Sequence, residues 1–147
     1  MSMIARLAGV LVLLLAASIA QAQNKVPAEL ALEALVKASL LSFNDANITG
    51  NYTVFHARLS KPFREQFPPE RLKETFKDFS QKHIDIHVVA AFKPTYTEPP
   101  MIDPDGKLRV RGYFPTEPVR VNFELDFIPS DAEWRMVLIH VKLGDPS

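Results

Sequence analysis

Cysteine is absent from this chain of 147 residues, and that absence removes several options. No disulfide can staple the fold. No lipid-bearing cysteine can tether the protein as it would a bacterial lipoprotein. The fold must rest on an apolar core, which a domain of this length can supply, since it buries roughly two thirds of its unfolded surface. An excess of one charge is also missing: 17 basic and 17 acidic residues are interleaved along the chain. No strongly basic face is implied, and no nucleic-acid partner. There is no glycine-rich phosphate loop, no Ser-His-Asp or Cys-His constellation, no internal repeat and no low-complexity segment.

What the chain does have is an apolar N-terminus. Arg6 is followed by an almost unbroken apolar run from Leu7 to Ile19, then by Ala20-Gln21-Ala22. A positive end, a short apolar centre and small residues at the inspected positions read as a cleavable export signal over residues 1–22. A bilayer-spanning helix needs roughly 20 apolar residues, and this run is shorter. The expected location is periplasmic or secreted, with no membrane insertion after cleavage. The remaining residues, 23–147, make one domain by length. Without Arg6 that domain carries one net negative charge.

Pro27 suits the first turn of a helix. From there to about Asn47, residues Leu32, Leu35, Val36, Ser39 and Phe43 recur at helical spacing, with Leu30, Leu41 and Ile48 widening the stripe. Gly50 is placed to close that helix. Tyr52 to Leu59 reads as a second helix, broken by Pro62. Pro68-Pro69-Glu70 opens a third, striped by Leu72, Phe76 and Phe79. After Lys82 the period changes to two. Ile84, Ile86, Val88, Ala90 and Phe92 predict a first strand. A proline-rich stretch ends in the turn Asp103-Pro104-Asp105-Gly106. Leu108, Val110, Gly112 and Phe114 share one face of the next strand, and Pro115-Thr116-Glu117-Pro118 turns the chain. Val119, Val121, Phe123, Leu125 and Phe127 give the clearest alternation. Pro129-Ser130-Asp131 turns it again into a last strand, Trp134 to Leu143. Helices first and a meander of strands afterwards predict an α+β fold: three N-terminal helices packed on a four-stranded or slightly larger antiparallel sheet.

Two stretches resemble the nuclear transport factor 2-like superfamily. One is Phe43-Asn44-Asp45-Ala46-Asn47-Ile48-Thr49-Gly50-Asn51-Tyr52, continuing through Leu59-Ser60-Lys61-Pro62-Phe63-Arg64. The other is Glu133-Trp134-Arg135-Met136-Val137, similar to the opening of that family's last strand. The resemblance implies a cone-like fold, with a curved sheet wrapped around the helices and a pocket at the open end. It implies no single reaction, because the fold hosts enzymes, binding domains and assembly modules.

The enzymes of that superfamily use an acid or histidine inside the cone, its pKa shifted by apolar surroundings. If the apolar face from Val119 to Phe127 points inward, then Arg120, Asn122, Glu124 and Asp126 point outward. Arg109, Arg111, Tyr113, Asp85 and His87 follow them, so the strands offer the interior no acid and no histidine. The assignment depends on register. The helices supply one catalytic candidate, Asp45 orienting His56 near Tyr52, which would make a general base. On the predicted first strand, His83, Asp85 and His87 share a face and form a weak metal candidate, without a fourth ligand. Asn47-Ile48-Thr49 and Asn51-Tyr52-Thr53 match the glycosylation sequon, which has meaning only in a eukaryotic secretory pathway.

The expected pocket lining is Phe43, Phe55, Phe76, Val110, Phe114, Val121, Phe123 and Leu125. On the last strand both faces read as apolar, Val137, Ile139, Val141 and Leu143 on one side and Trp134, Met136 and Leu138 on the other. With Val89, Ala91 and His140, the second side suggests a homodimer through the outer sheet face. The leading expectation is an exported, non-enzymatic binding or accessory domain that needs no cofactor and holds a small hydrophobic ligand. The alternatives are an isomerase or hydratase using the Asp45–His56 pair, and a protein-interaction module using the outer sheet face.

Overall fold

The computed structural model describes residues 24–145; the export signal read over residues 1–22 lies outside them. The described chain is α+β. Five helices, α1 (Glu29–Thr49), α2 (Thr53–Ala57), α3 (Lys61–Gln66), α4 (Pro69–Thr75) and α5 (Lys77–Gln81), precede a 3₁₀ turn over His87–Ala91. Strands β1 (Thr95–Tyr96), β2 (Met101–Ile102), β3 (Leu108–Phe114), β4 (Val121–Ser130) and β5 (Glu133–Leu143) follow. All pair antiparallel in one sheet, in the order β1-β3-β4-β5, with β2 beside β1 on the same edge of β3.

Helix α1 buries Leu32, Val36, Ser39, Leu40, Phe43, Asn44, Ala46 and Asn47. That is the expected stripe, shifted toward its polar flank: Leu30 and Ile48 point to solvent instead of widening it. Pro27 precedes the helix, and Gly50 closes it at φ 72°, its N–H bonded to the Ala46 carbonyl. The predicted second helix is shorter than read, and Pro62 starts α3 rather than ending α2, because a proline in a first turn has no N–H to leave unpaired. The Pro68-Pro69 helix divides at Phe76 into α4 and α5.

The alternations of β3 and β4 hold from Leu108 and from Val121 onward; Val119, read as the first residue of the β4 face, precedes the strand and is exposed. Leu108, Val110 and Phe114 face the core opposite Phe127, Leu125 and Val121. Asp103 accepts the N–H groups of Asp105 and Lys107, closing the β2–β3 turn as the Asp-Pro-Asp-Gly signal requires. Strands β1 and β2 lie within the proline-rich stretch read as a loop. Their brevity, and the prolines around them, blunt the sheet edge.

Two larger expectations fail, beside the division of three expected helices into five. Residues 84–92 form no strand: Ile86 and Val89 are buried at a spacing of three, with the Val89 N–H on the Ile86 carbonyl. The cause lies on α1. The buried Asn44 side chain accepts the Ile86 N–H at 2.9 Å and donates to Asp85 Oδ1 at 2.8 Å, taking a backbone group that a ladder would use. The second failure is on β5. Its register against β4 shifts between Asp126 and Phe127, where Asp126 pairs with Leu138 but Phe127 with Met136. Val137 is the extra residue of a bulge. Met136, beyond it, therefore joins Ile139 and Val141 on the core face, and Trp134 lies on that side with it.

The same bulge region ties helices to sheet. The Met136 carbonyl accepts the Ser60 N–H at 2.9 Å, Lys61 N–H donates to Ser130 Oγ at 3.1 Å, and Arg64 pairs with Asp131 at 3.1 Å.

Candidate functional site

The residues expected to line a pocket are packed on one another. Phe43, Phe55, Val110, Phe114, Val121, Phe123 and Leu125 are each at most 2% exposed. Phe43 meets Phe55, Phe76 and Phe79 with ring centroids 5.7, 4.9 and 5.0 Å apart, and Phe114 meets Phe123 at 5.5 Å. These rings fill the space between helices and sheet.

The catalytic candidates have other partners than one another. Asp45 is exposed, one residue round the helix from the buried Asn44. His56 Nε2 lies 3.1 Å from the Arg64 carbonyl. No hydrogen bond or ion pair joins Asp45 to His56 among the described residues. Tyr52 is buried in a different network: its hydroxyl donates to Asn47 Oδ1, and Ser80 Oγ donates to the Asn47 carbonyl at 2.9 Å. Burial pushes the Tyr52 hydroxyl above the ordinary tyrosine range. Sequence reasoning missed this network, although two asparagines three apart on an otherwise apolar stripe signal a buried polar cluster. Asn47, being buried, is no acceptor for a glycan in the folded chain.

The metal candidates lose the strand that would align them. Asp85 instead accepts from Asn44 and, at 3.0 Å, from the His87 N–H, while His83 sits in a turn at φ 53°. Among the described residues no three histidine, aspartate or glutamate side chains converge on one point. The Asn44 amide first, and the His87 backbone N–H second, hold the Asp85 carboxyl below the usual carboxylate range. A depressed acid stabilises the fold above its unfolded pKa and loses that contribution as pH falls through the folded value. Acid unfolding below about pH 4 should therefore be less steep for Asp85→Asn than for the unaltered protein. Identical acid limbs, followed by circular dichroism, would remove Asp85 from the account.

The outer sheet face is polar. Its cross-strand rows are Arg109–Asp126–Leu138, Arg111–Glu124–His140 and Tyr113–Asn122–Lys142. Arg111 bridges to Asp126 at 2.8 Å, and Arg120 stacks 4.0 Å above Tyr113. Of the apolar patch expected there, Val89 and Met136 are in the core and Trp134 has been turned inward by the bulge. Ala91, Leu138 and His140 remain exposed.

A notch of about 370 Å³ lies between the first half of α1 and the start of β5. Pro27, Ala31, Leu35 and Ser39, at successive spacings of four, form one wall; Trp134 faces them, with Arg58, Glu133 and Arg135 at the margin. The spacing of four is a helix ridge, and it runs beside the buried row Leu32, Val36 and Leu40. Ala31 is exposed, and Leu35 and Trp134 are half-buried. Arg135 braces the margin: its guanidinium donates to the Ala57 carbonyl, lies 3.3 Å from Glu133, and reaches Asp131 at 3.4 Å. Pro27, Ala31, Leu35 and Trp134 make the walls largely apolar, the Ser39 hydroxyl donates to the Leu35 carbonyl, and the margin is charged.

No helix among the described residues is long and apolar enough to cross a membrane. Comparison of the chain with protein families, with characterised proteins and with solved structures gives no match.

Proposed function

We propose that this is an exported, non-enzymatic binding or accessory domain that holds a small hydrophobic ligand in the notch between α1 and β5. The observation that carries the reading is the pairing of Trp134 with the apolar ridge Pro27, Ala31 and Leu35 across an open space of about 370 Å³. A half-buried tryptophan beside exposed apolar surface gains by being covered, at about 25 cal/mol per Å² removed from water. Export is supported by the apolar run Leu7 to Ile19 ahead of Ala20-Gln21-Ala22. We further propose kinship with the nuclear transport factor 2-like superfamily, with its cone-like curvature. Helices preceding an antiparallel meander, and a bulged last strand opening on Trp134-Arg135, support that kinship.

The chain has one tryptophan, so selectively excited tryptophan emission reports on this site alone. Titration of the mature protein with decanol should shift the Trp134 emission and saturate. Ala31→Gln, an exposed helical position with room for a longer side chain, should weaken that binding roughly tenfold with the circular dichroism unchanged. An emission that ignores decanol would end the proposal.

A further inference from the structure

We propose that the ligand of this notch is a free, single-chain amphiphile with a carboxylate head group, and that Arg58 receives the head group. The inference rests on the notch being the ligand site and adds the charge of what enters it.

The argument is one of unmatched charge. Three charged side chains border the notch: Arg58, Glu133 and Arg135. Glu133 and Arg135 are satisfied by each other at 3.3 Å, and Arg135 also has Asp131 at 3.4 Å. Asp131 is shared in turn with Arg64 at 3.1 Å. Arg58 has no such partner: its side chain makes no ion pair or hydrogen bond among the described residues. Its backbone is nonetheless fixed. The Arg58 N–H bonds to the Phe55 carbonyl at 3.1 Å, and Arg135 holds the neighbouring Ala57 carbonyl. A guanidinium without a counter-ion thus extends from a fixed backbone at the edge of an apolar space.

A ligand complementary to this surface has an apolar body to cover Trp134 and Leu35, and an anionic end. A carboxylate matches the planar fork of a guanidinium, accepting two parallel hydrogen bonds. A cationic head group would face Arg58 with like charge, and a neutral one would leave it unpaired. Because Arg58 is exposed, the pair gains less than a buried one would. The expected preference is modest but measurable.

The test compares decanoate, decanol and decyltrimethylammonium by Trp134 fluorescence at low ionic strength, below their aggregation concentrations. The unaltered protein should bind decanoate about fivefold more tightly than decanol, the size of a modest charge-assisted contact, and the cation most weakly. Arg58→Gln should bring decanoate to the affinity of decanol while leaving decanol unaffected, and Arg58→Lys should restore part of the difference. Equal binding of decanoate and decanol by the unaltered protein would overturn the head-group assignment while leaving the notch as the ligand site. A preference for decanoate that survives Arg58→Gln would overturn the role of Arg58. No response to any of the three would overturn both the site and the inference built on it.

Discussion

Gly112→Ala should destabilise the domain by about 3 kcal/mol, the upper end of the usual range for overpacking. The cause is the approach of β1 to β3. A β-carbon built on Gly112 would stand 2.3 Å from the Thr95 carbonyl oxygen and 3.1 Å from both Tyr96 Cα and Phe123 Cζ. A contact of 2.3 Å is with backbone, so no rotamer change relieves it. Either β1 moves away from β3 or β3 bends, and both routes damage something. Moving β1 breaks its pairing through Thr95 and Tyr96 and uncovers the partly buried Tyr96 ring. Bending β3 disturbs a strand whose Leu108, Val110 and Phe114 are fully buried.

Urea unfolding followed by circular dichroism would measure the loss, and Gly112→Ser should cost at least as much. The emission of Trp134, at the other end of the sheet, should change little in the folded protein. A midpoint within a few tenths molar of the unaltered protein would mean that β1 shifts freely and that the close approach is not a constraint.

The position of Gly112 in an otherwise apolar face was visible in the sequence, but the reason for it was not. Its partner Thr95 lies in a stretch whose four prolines, Pro94, Pro99, Pro100 and Pro104, read as loop. The two short strands inside that stretch exist only because β3 offers them an edge. The same distinction runs through the molecule. The stripe of α1, the Gly50 stop, the Asp103–Gly106 turn and the alternations of β3 and β4 depend on neighbours within a few residues, and all were legible. The 3₁₀ turn and the β5 bulge depend on distant groups, and neither was. Residues 84–92 alternate like a strand, yet Asn44, more than forty places earlier in the chain, takes the Ile86 N–H. Val137 sits in a strand whose spacing of two is unbroken, yet one extra residue there moves Met136 and Trp134 to the other face. That exchange removes the apolar outer patch expected from Trp134, Met136 and Leu138, and the same turn of the strand brings Trp134 against α1. The components of the notch were therefore present in the sequence as a ridge of α1 and a lone tryptophan. Their meeting was not, because no local pattern encodes which helix a bulged strand will face.

Asn44→Ala should cost about 3 kcal/mol, because one side chain serves two elements at once. Asn44 is 2% exposed. Its carbonyl oxygen accepts the Ile86 N–H at 2.9 Å and its amide donates to Asp85 at 2.8 Å. Truncation leaves the Ile86 N–H without an acceptor in the interior, a desolvation loss of roughly 1–3 kcal/mol, and opens a space where the side chain was. The segment it holds contributes Ile86 and Val89 to the core, so loosening it exposes apolar surface as well. Asn44→Asp separates the polar contribution from the packing one. It keeps the shape and the acceptor for Ile86, but sets a carboxylate against Asp85 in place of a donor. Near neutral pH it should be as damaging as alanine, and it should recover on mild acidification, when one carboxyl takes a proton and donates to the other. Asn44→Ala, with nothing to titrate, should show no such recovery. Hydrogen exchange at Ile86 and Val89 reads the same event locally: both amides should lose protection in Asn44→Ala while those of β4 follow only the global stability. Protection retained at Ile86 would mean that its N–H has another acceptor, and that the 3₁₀ turn forms without the side chain that here explains it.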